Sequence, residues 1–181
     1  MKNVFIIALM VIGIMGCQKK EVRYTQNSPE IETFKKAIKD YELGNWDTFA
    51  MHYAADAKIA SNATEKNAIS VAANIVVMKE GLANLSSYNF VADKNEYEMV
   101  VTDNGETWVN FWGIWQGRLK ANNELIETPV HLTSQFIDGK IVKEFGYWDN
   151  APMVLALQKL QAEAPLATID ASADKSEAPK E

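Results

Sequence analysis

Cysteine is nearly missing from this chain. Among 181 residues there is one cysteine, with two histidines, five prolines and nine glycines. The lone thiol is Cys17, so everything after it folds without a disulfide, a cysteine-ligated zinc or a cysteine nucleophile. The histidines, His52 and His131, lie far apart and show neither H-x-H nor H-x-x-x-H spacing, so no metal site is expected. There is no serine–histidine–acid arrangement, no phosphate-cradling glycine loop and no dinucleotide fingerprint, and no cofactor is expected either. Positive charge is also short. Lys and Arg number 18 against 24 Asp and Glu, for a net charge of −6. A chain of that sign is poorly suited to neutralising phosphates, which argues against nucleic acid as a partner.

What is present begins with an apolar run. Lys2 precedes Val4 to Met15, which is unbroken apart from Gly13, and Ile14-Met15-Gly16-Cys17 matches a lipobox. The run is too short to span a bilayer comfortably and has the layout of a secretory signal. The pattern predicts a bacterial lipoprotein signal peptide over 1–16, a lipidated Cys17, and a polar tether completing 17–27. Cleavage would remove Lys2 and no acid, taking the net charge from −6 to −7. The membrane tie is then the lipid alone, with about 0.8 kcal/mol per buried CH₂ from the acyl chains. Gln18, in place of Asp after the cysteine, favours the outer membrane within the cell envelope.

The folded part is predicted over 28–161. Ser28-Pro29-Glu30 reads as a helix start: a capping hydroxyl, a proline in the first turn and an acid near the positive end of the dipole. Ile31, Phe34, Ile38 and Tyr41 recur at helical spacing, and Gly44 closes the helix. Trp46, Phe49, Ala50 and Tyr53 suggest a second, shorter helix. Ala57 to Ala60 suggests a short strand. Thr64 is a candidate cap for a third helix running to about Glu80, with Ile69, Ala72, Ile75 and Val76 inward. Ser87 to Val101 has strand character, interrupted at Asp93 to Glu96. From Ala162 onward, Ala, Glu, Asp, Lys, Ser and Pro predict a disordered tail over 162–181.

The richest stretch is Glu106 to Asn150, read as three strands. Thr107 to Leu119 splits into one face with Trp108, Asn110, Trp112, Ile114, Gln116 and Arg118, and another with Val109, Phe111, Gly113, Trp115, Gly117 and Leu119. Gly113 and Gly117 suggest a bulge or a sharp curve. Leu125 to Ile137 separates Val130, Leu132, Ser134 and Phe136 from Pro129, His131, Thr133 and Gln135. Asp138-Gly139 is a hairpin signal. Strict alternation along Lys140 to Asp149 would group Ile141 with Lys143, Phe145, Tyr147 and Asp149. A short helix from about Pro152 to Gln161 ends the domain. Helices first and antiparallel strands after make an α+β pattern.

Phe136-Ile137-Asp138-Gly139-Lys140-Ile141-Val142, then Tyr147-Trp148-Asp149 and a helix carrying Gln158, resemble the end of the SnoaL-like branch of the nuclear transport factor 2-like superfamily. Leu43-Gly44-Asn45 before Trp46 resembles that family's corner between its first two helices. The resemblance covers roughly Ser28 to Gln161. It implies a curved antiparallel sheet wrapped around N-terminal helices into a cone-shaped half-barrel with a pocket. It also implies frequent dimers through the outer sheet face. In the polyketide cyclase members an aspartate at the place of Asp149 is the acid/base, and polar residues of the preceding strand hold the substrate.

These readings give the candidates. Asp149, assisted by His131, could move a proton in an apolar pocket; alternatively, Asp149 caps the last helix. Tyr147, Trp112, Trp108, Gln135, Thr133 and Asn110 are the candidate ligand-binding residues; Trp108, Trp112, Trp115 and Trp148 are equally at home in a core or in a sheet-to-sheet dimer interface. The expected function is binding of a small, largely apolar molecule in the cone. The alternatives are an isomerase-, hydratase- or cyclase-type enzyme, and a non-catalytic interaction module acting through the sheet, including as a homodimer.

Overall fold

The computed structural model describes residues 22–173. The predicted signal peptide, the lipidation site Cys17 and residues 174–181 lie outside them.

Ser28 opens the first helix through its own side chain. Its backbone is extended (φ −150°) and its Oγ accepts the Ile31 N–H at 3.2 Å. Helix α1 (Pro29–Leu43) follows, with Ile31, Phe34 and Ala37 buried. Gly44 takes φ 68°, so its N–H and that of Asn45 donate back to the Tyr41 and Asp40 carbonyls. Helix α2 (Trp46–Met51) is shorter than the sequence suggests, because Tyr53 begins strand β2 (Tyr53–Ser61).

The third helix also starts later than predicted. Thr64 makes no capping bond; after a single turn over Glu65–Asn67 the chain extends, and β3 (Ile69–Ser70) pairs with β2. Ser70 is the cap instead, its Oγ accepting the Ala73 N–H at 3.3 Å, and α3 spans Val71–Leu82. Its inner side is Val71, Asn74, Ile75 and Met78, whereas Ala72 and Val76 face solvent.

The remaining elements are β4 (Leu85–Phe90), β5 (Glu96–Val101), β6 (Thr107–Leu119), β7 (Leu125–Ile137), β8 (Lys140–Trp148) and α4 (Ala151–Ala173). Helix α4 runs past Gln161, where the sequence predicts disorder, because alanine, the strongest helix former, recurs at 162, 164, 167, 171 and 173. The tether also ends earlier than predicted. Tyr24–Thr25 forms β1, pairing with Val100 and Met99 of β5, and Arg23 bonds Asp103 and the Val101 carbonyl.

The fold is α+β, a curved sheet in the order β1-β5-β6-β7-β8-β2-β3, with β4 also on β6. The pairings are antiparallel except β2 with β8, which is parallel, so the sheet is mixed. One face packs on the helices. Val109, Phe111, Phe136 and Ile141 join Ile31 and Phe34 there. Full burial of such side chains contributes about 1.5–3 kcal/mol each. Phe34, Phe90, Tyr97 and Phe111 make edge-on and tilted contacts at centroid distances of 5.0–6.4 Å, filling the cone from within.

The glycines of β6 seat aromatic rings and do not mark a bulge, since the β6–β7 register is continuous. A Cβ on Gly113 would lie 2.4 Å from Phe111 Cζ, and one on Gly117 would lie 2.3 Å from Trp115 Cη2. Gly146 of β8 does the same for Trp148 at 2.6 Å.

Candidate functional site

The site is set by one irregularity in the β7–β8 hairpin. Asp138 and Gly139 adopt φ 49° and 73°, the two-residue turn their types suit. Phe136 pairs with Ile141, but the next pair is Gln135 with Lys143, so Val142 is an extra residue. Such a bulge reverses the facing of every residue beyond it relative to strict alternation. Ile141 is therefore buried in the core, while Lys143, Phe145 and Tyr147 point to the outer face. Glu144, paired with Ser134, points into the cone.

Inside the cone, Glu144 is 7% exposed. Its Oε2 accepts the Ser134 hydroxyl at 2.8 Å and the Tyr53 hydroxyl at 3.1 Å. Burial raises the carboxyl above its ordinary value, and the two hydroxyl donors offset only part of that rise. Tyr53 is pushed well above its own ordinary value, by burial first and then by the Glu144 charge. The trio is a held carboxyl group packed against the aromatic core.

Outside, four strands lay down parallel rows. Cross-strand pairing places Glu96, Trp112, His131 and Tyr147 in one row, and Glu98, Asn110, Thr133 and Phe145 in the next. Val100, Trp108, Gln135 and Lys143 make the third. The rings of the first row stack: Trp112 on His131 at 4.9 Å and 26°, His131 on Tyr147 at 6.3 Å and 13°. Trp108 stacks on Phe145 at 6.3 Å. His131 Nδ1 lies 3.1 Å from the Phe111 carbonyl. A carbonyl only accepts, so Nδ1 carries a proton and donates it to this bond.

A groove of about 630 Å³ opens over this first row, with Tyr24, Glu96, Glu98, Trp112, His131 and Tyr147 among its lining. It sits where β6 changes partners. Strand β5 pairs with β6 as far as Glu96 and Trp112, and β4 takes over at Phe90 and Trp115, leaving Gly113 and Ile114 at the seam. Asn95 Oδ1, buried against Gly113, has no hydrogen-bond partner among the described residues.

The structure brings His131, Trp112, Tyr147, Asn110, Thr133, Gln135 and Trp108 together, but on the outer face. The expectation that they line the cone is corrected: the inner face of these strands carries Val109, Phe111, Ser134 and Phe136. Gln135 Nε2 donates to Glu106 Oε1 at 3.2 Å, and Asn110 Nδ2 donates to Glu98 Oε1 at 3.0 Å. Asp149 does not join them. It is exposed, and its Oδ1 accepts the Ala151 N–H at 2.8 Å, capping α4. Among the described hydrogen bonds none links it to His131. His52 lies elsewhere, its Nε2 2.8 Å from Asp40 Oδ2, holding α1 to the end of α2. No group of three or more His, Cys, Asp or Glu side chains converges on a metal position among the described residues.

Sequence reasoning missed Glu144, Tyr53 and Ser134 inside, and Glu96 and Glu98 outside. Ser134 and Glu144 flank the Asp138-Gly139 turn, but only the bulge at Val142 puts them on one face.

No family model matches the chain, and no curated protein matches it by sequence. Solved structures do. IdmH from Streptomyces antibioticus, proposed to be a polyketide cyclase, is similar with a TM-score of 0.58 at 16% identity, over 73% of this chain and 99% of that one. A SnoaL-like protein from Shewanella denitrificans, also proposed to be a polyketide cyclase, gives 0.57 at 16%, over 74% and 99%. A nuclear transport factor 2-like protein from Burkholderia xenovorans gives 0.54 at 14%, over 73% and 98%. At these identities the likeness is one of fold.

Proposed function

We infer that the chain is a lipid-anchored protein of the bacterial cell envelope whose nuclear transport factor 2-like domain binds a small, flat, largely apolar molecule without chemistry. The observation carrying the binding reading is the stacked row of Trp112, His131 and Tyr147 beneath an open groove. Aromatic rings presented in a cleft suit the flat, apolar part of such a ligand. The cone interior, filled by Phe34, Phe90, Tyr97 and Phe111, is the poorer candidate. The anchoring reading rests on the lipobox ending at Cys17, with Gln18 favouring the outer membrane. No helix among the described residues is long and apolar enough to cross a membrane.

A proton-transfer role for Asp149 has little support from its position as an exposed cap. The second reading is a homodimer through the same outer face. Trp112 is 41% exposed and Tyr147 48% exposed in the single chain, an apolar surface that a second copy would cover.

Native mass spectrometry of the full chain, purified gently from its host in detergent, tests both. A retained small molecule that is lost in Trp112→Ala supports ligand binding at the groove. An empty dimer that Trp112→Ala splits replaces it with the homodimer. Cys17→Ser should move the protein out of the membrane fraction, and continued tight attachment would sink the lipoprotein reading.

A further inference from the structure

The groove has a charge as well as a shape. Glu96 stands directly across from Trp112 in the ring row, and Glu98 follows two residues on along the same face. Glu98 is engaged by Asn110. The Glu96 carboxylate has no hydrogen-bond or ion-pair partner among the described residues; only its backbone is engaged, in the ladder with β6. The one lysine among the lining residues, Lys94, is exposed and lies 3.9 Å from Asp93, while Glu96 and Glu98 outnumber it in the lining. His131 is held in the row by its Nδ1–H donating to the Phe111 carbonyl. Carboxylates and the negative faces of aromatic rings attract the same kind of ligand, a cation with apolar substituents. A volume of about 630 Å³ admits an organic ion several times larger than a bare metal.

Resting on the groove-binding reading above, we propose that the ligand is an organic cation, a substituted ammonium whose apolar part lies against Trp112 and Tyr147 and whose charge faces Glu96. The parts have separate duties. Trp112 and Tyr147 offer half-exposed rings for contact and for cation–π attraction. Glu96 supplies the unpaired counter-charge, and Glu98, though bonded to Asn110, adds to the negative field of the row. A neutral ligand of the same shape keeps the ring contact and loses the rest.

The test measures binding of phenyltrimethylammonium and of benzyl alcohol, a neutral aromatic probe, to the full chain in a non-ionic detergent, by titration calorimetry and tryptophan fluorescence. The cation should bind about tenfold more tightly than the neutral probe. Glu96→Gln should lower that ratio about two- to fourfold while leaving benzyl alcohol unchanged. Trp112→Ala should weaken both probes. Glu96 and Trp112 are both exposed, and thermal melting checks that the two variants stay folded. Equal binding of the two probes, or a ratio untouched by Glu96→Gln, overturns the cation inference and leaves the groove-binding reading standing. If neither probe binds, both fall.

Discussion

Replacing Glu144 by Gln should make the protein more stable above the pH at which its folded carboxyl ionises. Glu144 is 7% exposed, and both of its protein donors, Ser134 Oγ and Tyr53 Oη, bond the same oxygen, Oε2. Burial raises its pKa more than those two hydroxyls lower it. A raised carboxyl favours the protonated form in the folded state. Its contribution is therefore fully present below the ordinary glutamate value and is lost as pH rises through the folded value. Above that point the fold carries a desolvated charge, which costs several kcal/mol before its hydrogen bonds are counted. Two hydroxyl donors to a charged group return about 1.5–3 kcal/mol each, and to a neutral carbonyl about half of that. Gln keeps the carbonyl and the volume and removes the charge. The net gain should be about 1–2 kcal/mol at pH 8, or a Tm rise of about 2–8 °C for a chain of this size. Near pH 4 the two proteins should melt together. Tyr53, pushed well above its ordinary value, stays a neutral donor across this range. Thermal melts by circular dichroism from pH 4 to pH 9 measure the difference. A Gln variant less stable at pH 8, or a difference independent of pH, would refute the account of the buried carboxyl.

Three other substitutions probe the frame. Gly117→Ala should destabilise by about 1–3 kcal/mol, because its Cβ would lie 2.3 Å from Trp115 and 3.0 Å from Leu85; chemical denaturation measures this, and an unchanged midpoint would contradict the ring-seat role. Asp149→Ala should lower stability by about 0.5–2 kcal/mol while leaving the groove's ligand affinity unchanged, which separates a cap from a binding residue. Ser28→Ala should cost about the same through the start of α1, read as a lower denaturation midpoint.

Much of this fold is written in local chemistry. Ser28, Pro29 and Gly44 bound α1 where their types require, and Asp138-Gly139 turns the hairpin as two residues tolerant of positive φ should. The alternation along β6 and β7 correctly separated the two faces. It could not say which face turns inward, because both are apolar near their middles: Phe111 and Trp115 on one, Trp112 and Ile114 on the other. That choice is made by α1, whose Ile31 and Phe34 meet Val109 and Phe111. The β8 error has a different cause. The bulge at Val142 has no glycine or proline to announce it, and it separates Ile141 from Lys143, Phe145 and Tyr147 while turning Glu144 inward. Glu96 and Glu98 are unremarkable in sequence. They matter because β5 pairs with β6 in a register that sets them beside Trp112 and Asn110. The parallel pairing of β2 with β8 joins segments far apart in the chain, and no local pattern encodes it.

The central claim is that the working surface is the outer face of the sheet and not the interior of the cone. A crystal structure of the full chain soaked with phenyltrimethylammonium addresses it directly. The account predicts the probe over the Trp112, His131 and Tyr147 row, within reach of Glu96, with Phe34, Phe90 and Phe111 unmoved. A probe seated inside the cone beside Glu144, with those rings displaced, would contradict it.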